Sequence, residues 1–161
     1  MKTIHFIIAL LATFTLNVAS AQIANGVYFI HLSNGFVMEA EGGTYNTDGC
    51  KIQNWGNYNG INQKWEVTRM TNGAYRIKNL GSNKVLDAAA QSLNTNGGKV
   101  QLWQNYPTNR NQEWVLTQVS PGRYAIRNAA STGNKVLDVT CYAIGTHGTA
   151  IQLCEHTTSN N

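Results

Sequence analysis

One pattern written three times constrains this chain more than any other feature. Gly26-Val-Tyr-Phe-Ile-His-Leu, Gly73-Ala-Tyr-Arg-Ile-Lys-Asn and Gly122-Arg-Tyr-Ala-Ile-Arg-Asn recur at nearly even intervals. The first two stretches also close alike, on Asn62-Gln-Lys-Trp-Glu-Val and Asn111-Gln-Glu-Trp-Val-Leu. A fixed period means that one supersecondary unit is used repeatedly. The units run over about 26–67, 73–116 and 122–161.

Inside each unit the apolar residues alternate. Tyr75 and Ile77 interleave with Arg76 and Lys78, and Tyr124 and Ile126 with Ala125 and Arg127. That period of two marks a half-buried strand. A turn follows, at Ser33-Asn-Gly35, Leu80-Gly-Ser-Asn83 and Ala130-Ser-Thr-Gly-Asn134. Next comes a short strand: Phe36-Val-Met-Glu39, Lys84-Val-Leu-Asp87 or Lys135-Val-Leu-Asp138. A loop of Gly, Asn and Thr then leads to Lys51-Ile-Gln-Asn-Trp55, Lys99-Val-Gln-Leu-Trp103 or Ala150-Ile-Gln-Leu-Cys154. A last loop leads to the strand carrying Gln-x-Trp. Roughly four short strands per unit, about twelve in all, predict an all-β protein, and threefold repetition favours a closed barrel over a sandwich.

The 161 residues suffice for one domain. Residues 1–21 read as an export signal: Lys2, an apolar stretch from Phe6 to Val18, then the small residues Ala19-Ser20-Ala21. Gln22 would begin the mature chain. The apolar stretch is interrupted by Thr13, Thr15 and Asn17 and falls short of the ~20 residues of a spanning helix. The expectation is therefore a secreted protein with no membrane span. The net charge is +4, and the basic residues fall singly, without a run. A nucleic-acid binder concentrates such charge on one face, so no nucleic-acid partner is expected.

Cys141 and Cys154 lie in one unit, across an expected hairpin, and export favours a disulfide between them. Cys50 is left over, as a free thiol, an intermolecular link or a sign of a different pairing. The histidines and cysteines show no ligand spacing, so no metal or cofactor is expected.

Leu-Asp (Met38-Glu39 in the first unit), Val-Gln-Leu-Trp and Asn-Gln-x-Trp, in that order within aligned units, resemble the ricin B-chain type lectin family. The resemblance spans Gly26 to Asn161 and implies a β-trefoil of three pseudo-symmetric repeats over 22–161. It places Trp65 and Trp114 in the core, with Gln63 and Gln112 spending their amides on local hydrogen bonds. One departure stands out. The tryptophan of a third Gln-x-Trp would fall at or just past Asn161, where the sequence ends. The last strand of the third repeat is thus expected to be missing, and the sequence to be a truncated record of a longer protein.

A monosaccharide has an apolar C–H face and a rim of hydroxyls. Binding it needs a flat ring for the first and carboxylate and amide groups for the second. By resemblance, Asp87, Trp103 and Asn111 make the main contacts in the second unit, assisted by Gln101. Gln101 and Trp103 are two apart on a strand and share a face. The first unit offers Glu39, Gln53, Trp55 and Asn62, with a glutamate where aspartate is usual. Tyr58 and Tyr106 follow the tryptophans and are read as cover for the barrel rim. The third unit keeps Asp138 and Gln152, but Cys154 replaces the aromatic. The partners implied are glycans or polysaccharides, through one or two shallow sites; galactose-type sugars and plant or microbial polysaccharides are the classes implied.

Catalysis is not expected. Glycoside hydrolysis uses two carboxylates about 5–10 Å apart, whereas Glu39, Asp87 and Asp138 come one per repeat. Two other readings remain: a protein-binding trefoil of the protease-inhibitor kind, and a sugar-targeting module of a larger glycosidase or toxin. The first has no need of Asp, Gln, Trp and Asn at matched places.

Overall fold

The computed structural model describes residues 22–33, 35–139 and 146–156. The proposed export signal and Cys141 lie outside the described residues. The first lobe contributes β1 (Gly26–Tyr28), β2 (Val37–Ala40), β3 (Ile52–Trp55) and β4 (Trp65–Arg69). The second contributes β5 (Tyr75–Asn79), β6 (Val85–Ala88), β7 (Gly98–Trp103) and β8 (Trp114–Ser120). The third contributes β9 (Arg123–Asn128), β10 (Lys135–Val139) and β11 (Ile151–Glu155). Short 3-10 turns at Ile61–Gln63 and Arg110–Gln112 lead into β4 and β8.

Two layers result. The strands that open and close the lobes pair antiparallel in the order β1-β4-β5-β8-β9 and form the barrel wall. The inner strands form three hairpins, β2–β3, β6–β7 and β10–β11, which cap one end. The sequence alternation is seen in β5, where Tyr75, Ile77 and Asn79 are buried while Arg76 and Lys78 are half-buried.

The hairpins close into a ring. Lys51 bridges to Gln101, Lys99 to Gln152, and Ala150 to Gln53. These are the same two positions of each lobe, so each hairpin leans on the next. Gly49, Gly97 and Gly148 make the approach possible. Each has a positive φ, from +79° to +85°, which side chains other than glycine's rarely tolerate. Each donates its N–H to the next lobe, at the carbonyls of Leu102, Leu153 and Asn54 (2.8–2.9 Å).

The core lies between barrel and cap. Its largest side chains are Trp65 and Trp114, both 0% exposed. The Trp65 indole N–H donates to the Met38 carbonyl and that of Trp114 to the Leu86 carbonyl, each at 3.0 Å. Leu137 is the matching position in the third lobe. Among the described residues no strand lies between β9 and β1. The space beside them is a mostly apolar cavity of about 720 Å³, lined by Ile30, Val67, Ile77, Leu116, Ile126 and Leu137 among others.

Cys50 is 3% exposed, and its thiol donates to the Lys51 carbonyl at 3.3 Å. That burial rules against the intermolecular link considered from the sequence. Burial also pushes its thiol pKa upward, against the Thr44 hydroxyl, whose hydrogen bond favours the thiolate.

Replacing Trp114 by alanine removes both a core volume and the tie to β6. The expected cost is about 3–5 kcal/mol of unfolding free energy, read from urea denaturation followed by circular dichroism.

Candidate functional site

Strand pairing builds the candidate site from residues distant in sequence. Asp87 lies directly opposite Gln101, and Val85 opposite Trp103. Residues two apart on a strand share a face, so Asp87, Gln101 and Trp103 stand together on the hairpin side away from Leu86. The same register recurs in the first lobe, where Glu39 faces Gln53 and Val37 faces Trp55. It recurs again in the third, where Asp138 faces Gln152 and Val136 faces Cys154. The third lobe therefore has the acid–amide pair with a cysteine at the position of the ring.

In the second lobe the Gln101 amide donates to Asp87 Oδ1 at 3.1 Å. The carboxylate is buried. Burial raises its pKa above the ordinary 3.8, while the amides of Gln101 and Gln112 pull the other way. Trp103 is half-buried, its ring edge against Gly49 of the first-lobe turn. Asn111 sits in the 3-10 turn before β8. Asn109 caps its backbone N–H (3.0 Å), and Asn128 Nδ2 donates to its carbonyl (2.8 Å). The Asn111 side-chain amide has no protein partner among the described residues, so its acceptor and both donors are free.

The first lobe has the corresponding residues, with glutamate in place of aspartate, and their polar groups are bonded to one another. Glu39 accepts from Gln53 Nε2 at 3.0 Å and from Gln63 Nε2 at 2.8 Å, one bond on each oxygen. Asn62 donates to the Ala40 carbonyl at 2.8 Å and accepts the Tyr58 hydroxyl at 2.9 Å. Asn62 is 4% exposed, whereas Asn111 is half-buried.

Gln63 and Gln112 organise the loops in front of them. Gln63 Oε1 accepts from the backbone N–H of Tyr58, and its amide donates to the Gly56 carbonyl. Gln112 does the same with Tyr106 and Gln104. Tyr58 and Tyr106 are both exposed on the rim, at 55% and 47%.

Several contributors escape sequence reasoning. Arg76 reaches from β5 to bond Asn105 Oδ1, Gln112 Oε1 and the carbonyls of Tyr106 and Pro107, all within 3.1 Å. It pins the loop that carries Tyr106; burial lowers its pKa, with Glu113 pulling it back up. The turn within each cap hairpin, just before its second strand, also touches the next lobe's site. Asp48 Oδ1 accepts from Lys84 Nζ and the Gln104 N–H (2.7 and 2.8 Å). Asn96 Oδ1 accepts from Lys135 Nζ and the Glu155 N–H (2.6 and 2.9 Å). At the third junction His147 packs edge-on against Phe36 and Trp55, with centroids 4.8 and 4.7 Å away. The recurrence of Thr-x-Gly, at Thr47-Asp-Gly49, Thr95-Asn-Gly97 and Thr146-His-Gly148, is a sequence trace of this relation.

Among the described residues no three His, Cys, Asp or Glu side chains converge on a possible metal position. No helix there is long and apolar enough to cross a membrane.

The sequence profile of the ricin-type beta-trefoil lectin domain-like family matches residues 13–103 and 62–154. The chain belongs to that family. The trefoil is also seen by superposition. ThreeFoil, a designed threefold-symmetric protein, is 24% identical, covers 84% of this chain and 93% of its own, and superposes with a TM-score of 0.75. The exo-beta-1,3-galactanase 1,3Gal43A from Clostridium thermocellum is 22% identical (86% of this chain, 29% of that one, TM-score 0.74). The Macrolepiota procera ricin B-like lectin, solved with lactose, is 19% identical (84% and 91%, TM-score 0.68). At these identities the likeness concerns the fold. No curated protein sequence matches the chain.

The buried Asp87 of this ricin-type domain makes a test by pH. Asp87→Asn keeps an oxygen for Gln101 and removes the charge. A carboxyl whose folded pKa is raised costs no stability below its unfolded value of 3.8. It costs increasingly as pH rises through the window between that value and the folded one. The variant should therefore gain stability relative to the parent between pH 3 and pH 7, as read from urea unfolding at both.

Proposed function

We propose that this chain is a secreted carbohydrate-binding domain whose main site is the second lobe. The observation that carries this reading is the Asp87–Gln101 pair with Trp103 on the same face and the unspent amide of Asn111 nearby. A pyranose would lay its C–H face on Trp103. Two neighbouring hydroxyls would then be shared between Asp87, which accepts, and Asn111, which both donates and accepts. Gln101 holds the carboxylate in place. One shallow site of this kind binds on the order of 0.1–1 mM, about −4 to −5.5 kcal/mol. Useful affinity then comes from repeated sugars on a polymeric target.

Galactose-type sugars are the first class to test, with plant or microbial polysaccharides beside them. The lactose complex of the Macrolepiota procera lectin supports that order. The galactanase, of which this chain covers 29%, supports a second reading, that of a sugar-targeting module joined to an enzyme. Export rests on the signal-like residues 1–21, and the Cys141–Cys154 disulfide rests on export in turn.

The test is binding to immobilised galactosides, xylan and β-glucans by the chain from Gln22 onward, beside Asp87→Ala and Trp103→Ala. Binding to one class is the expected result, weakened about tenfold or more by Asp87→Ala, since a lost hydrogen bond to a charged group costs roughly 1.5–3 kcal/mol, and weakened by Trp103→Ala through loss of the stacking face. Unchanged binding by both variants would remove the second lobe from the function.

A further inference from the structure

The first two lobes carry the same tyrosine at the same place, three residues after the ring, and use it differently. The Tyr58 N–H and the Tyr106 N–H both donate to the glutamine of Gln-x-Trp, at 3.1 and 2.9 Å. Beyond that they diverge. The Tyr58 hydroxyl turns inward and donates to Asn62 Oδ1 at 2.9 Å. The Tyr106 hydroxyl has no protein partner among the described residues.

Three features cause the difference. Gly60 precedes the first 3-10 turn, and Asn109 precedes the second. A Cβ on Gly60 would overlap both the Tyr58 ring and Asn62 Oδ1, so the tyrosine can lie there only because glycine does. The second-lobe loop is also one residue longer between tryptophan and asparagine, and it carries Pro107. Finally, Arg76 grips the carbonyls of Tyr106 and Pro107, while Phe29 stands at the matching place in the first lobe.

We infer that Tyr58 is a latch that keeps the first-lobe sugar site closed, so that this lobe accepts a sugar only when the tyrosine swings away. The inference rests on the second-lobe reading above. What lies beneath the latch is complete. Trp55 is half-buried beside Gln53, and each Glu39 oxygen, though bonded once, keeps a lone pair for a hydroxyl. Asn62 would regain its acceptor. Tyr58 lies close enough to Glu39 that this carboxylate's charge adds to burial in raising the phenol pKa, which keeps the hydroxyl protonated and donating. With its ring largely in solvent, Tyr58 is held by one neutral hydrogen bond. A hold of that size lowers apparent affinity by roughly tenfold, because only the open fraction binds.

The chain has four tryptophans, and their indole N–H resonances separate the lobes. Trp65 and Trp114 are buried and bonded and serve as references; Trp55 and Trp103 report the two sites. The experiment is a titration of the ¹⁵N-labelled chain with lactose and with xylotriose, for the parent, Tyr58→Phe and Tyr58→Ala. In the parent, Trp103 should respond at about tenfold lower sugar than Trp55. Tyr58→Ala should lower the Trp55 midpoint by about tenfold and leave that of Trp103 unchanged. A Trp55 midpoint that stays put overturns the latch. One that rises overturns it too, and makes Tyr58 a sugar contact. A second readout needs no sugar: Tyr58→Phe should shift the Asn62 side-chain amide and spare that of Asn111. An unmoved Asn62 amide overturns the latch by itself. If Trp103 ignores both sugars in every protein, the second-lobe reading is what fails, and the latch is then decided by the Asn62 amide alone.

Discussion

Two indole N–H groups bind the barrel to its cap, and the direction of the site follows from them. Trp65 and Trp114 enter the core from the barrel wall and donate to Met38 and Leu86 on the hairpins. A tryptophan suits this place because it brings a large apolar body and one donor. A buried carbonyl at Met38 or Leu86 without that donor would be costly. The tie fixes which face of the hairpin looks inward. Successive residues of a strand point to opposite faces, so with Met38 and Leu86 inside, Glu39 and Asp87 must look out. The carboxylates that would meet a sugar are aimed by the core residues next to them in sequence.

The ring of hairpins fixes what the ties leave open, which is how the lobes stand relative to one another. Gly49, Gly97 and Gly148 each reach across a junction. The residue before each glycine then engages the next lobe's site strand. Trp103 is therefore supported by a first-lobe turn and Trp55 by a third-lobe one. No lobe holds its platform alone. A threefold fold suits a binding protein because each site is buttressed by a neighbour that the same repeat supplies.

The fold was legible because its signal is repeated and periodic. The alternation around Tyr75 and Tyr124, the Val-Gln-Leu-Trp stretch and the two Gln-x-Trp pairs lead to the observed strands and to their assignment in lobes. The gathering of Asp87, Gln101 and Trp103 was legible for the same reason, since a hairpin register aligns residues at fixed offsets. What distinguishes one lobe from another was not. That Tyr58 folds onto Asn62 while Tyr106 stands clear depends on a missing Cβ at Gly60 and on Arg76, which acts from a strand about thirty residues away. The twelfth strand that four per repeat would require is absent from the described residues, because the third repeat has no Gln-x-Trp within them.

The junctions between lobes explain why the first lobe departs from the second in more than one residue at once. At two junctions an acid or amide meets a lysine: Asp48 with Lys84, and Asn96 with Lys135. At the third, aromatic rings replace both partners, with His147 against Phe36 and Trp55. Neither change is sensible singly. A lysine at position 36 would meet the His147 ring in place of a carboxylate or amide oxygen, and a phenylalanine facing Asp48 or Asn96 would leave the turn oxygen with its backbone N–H donor alone. The unit that must be internally consistent is therefore the junction and not the lobe. A substitution in the third-lobe turn is thus a change to the first-lobe site. Counting functional sites by scoring each repeat separately misses this coupling, since Trp103 rests on a first-lobe turn and Trp55 on a third-lobe one.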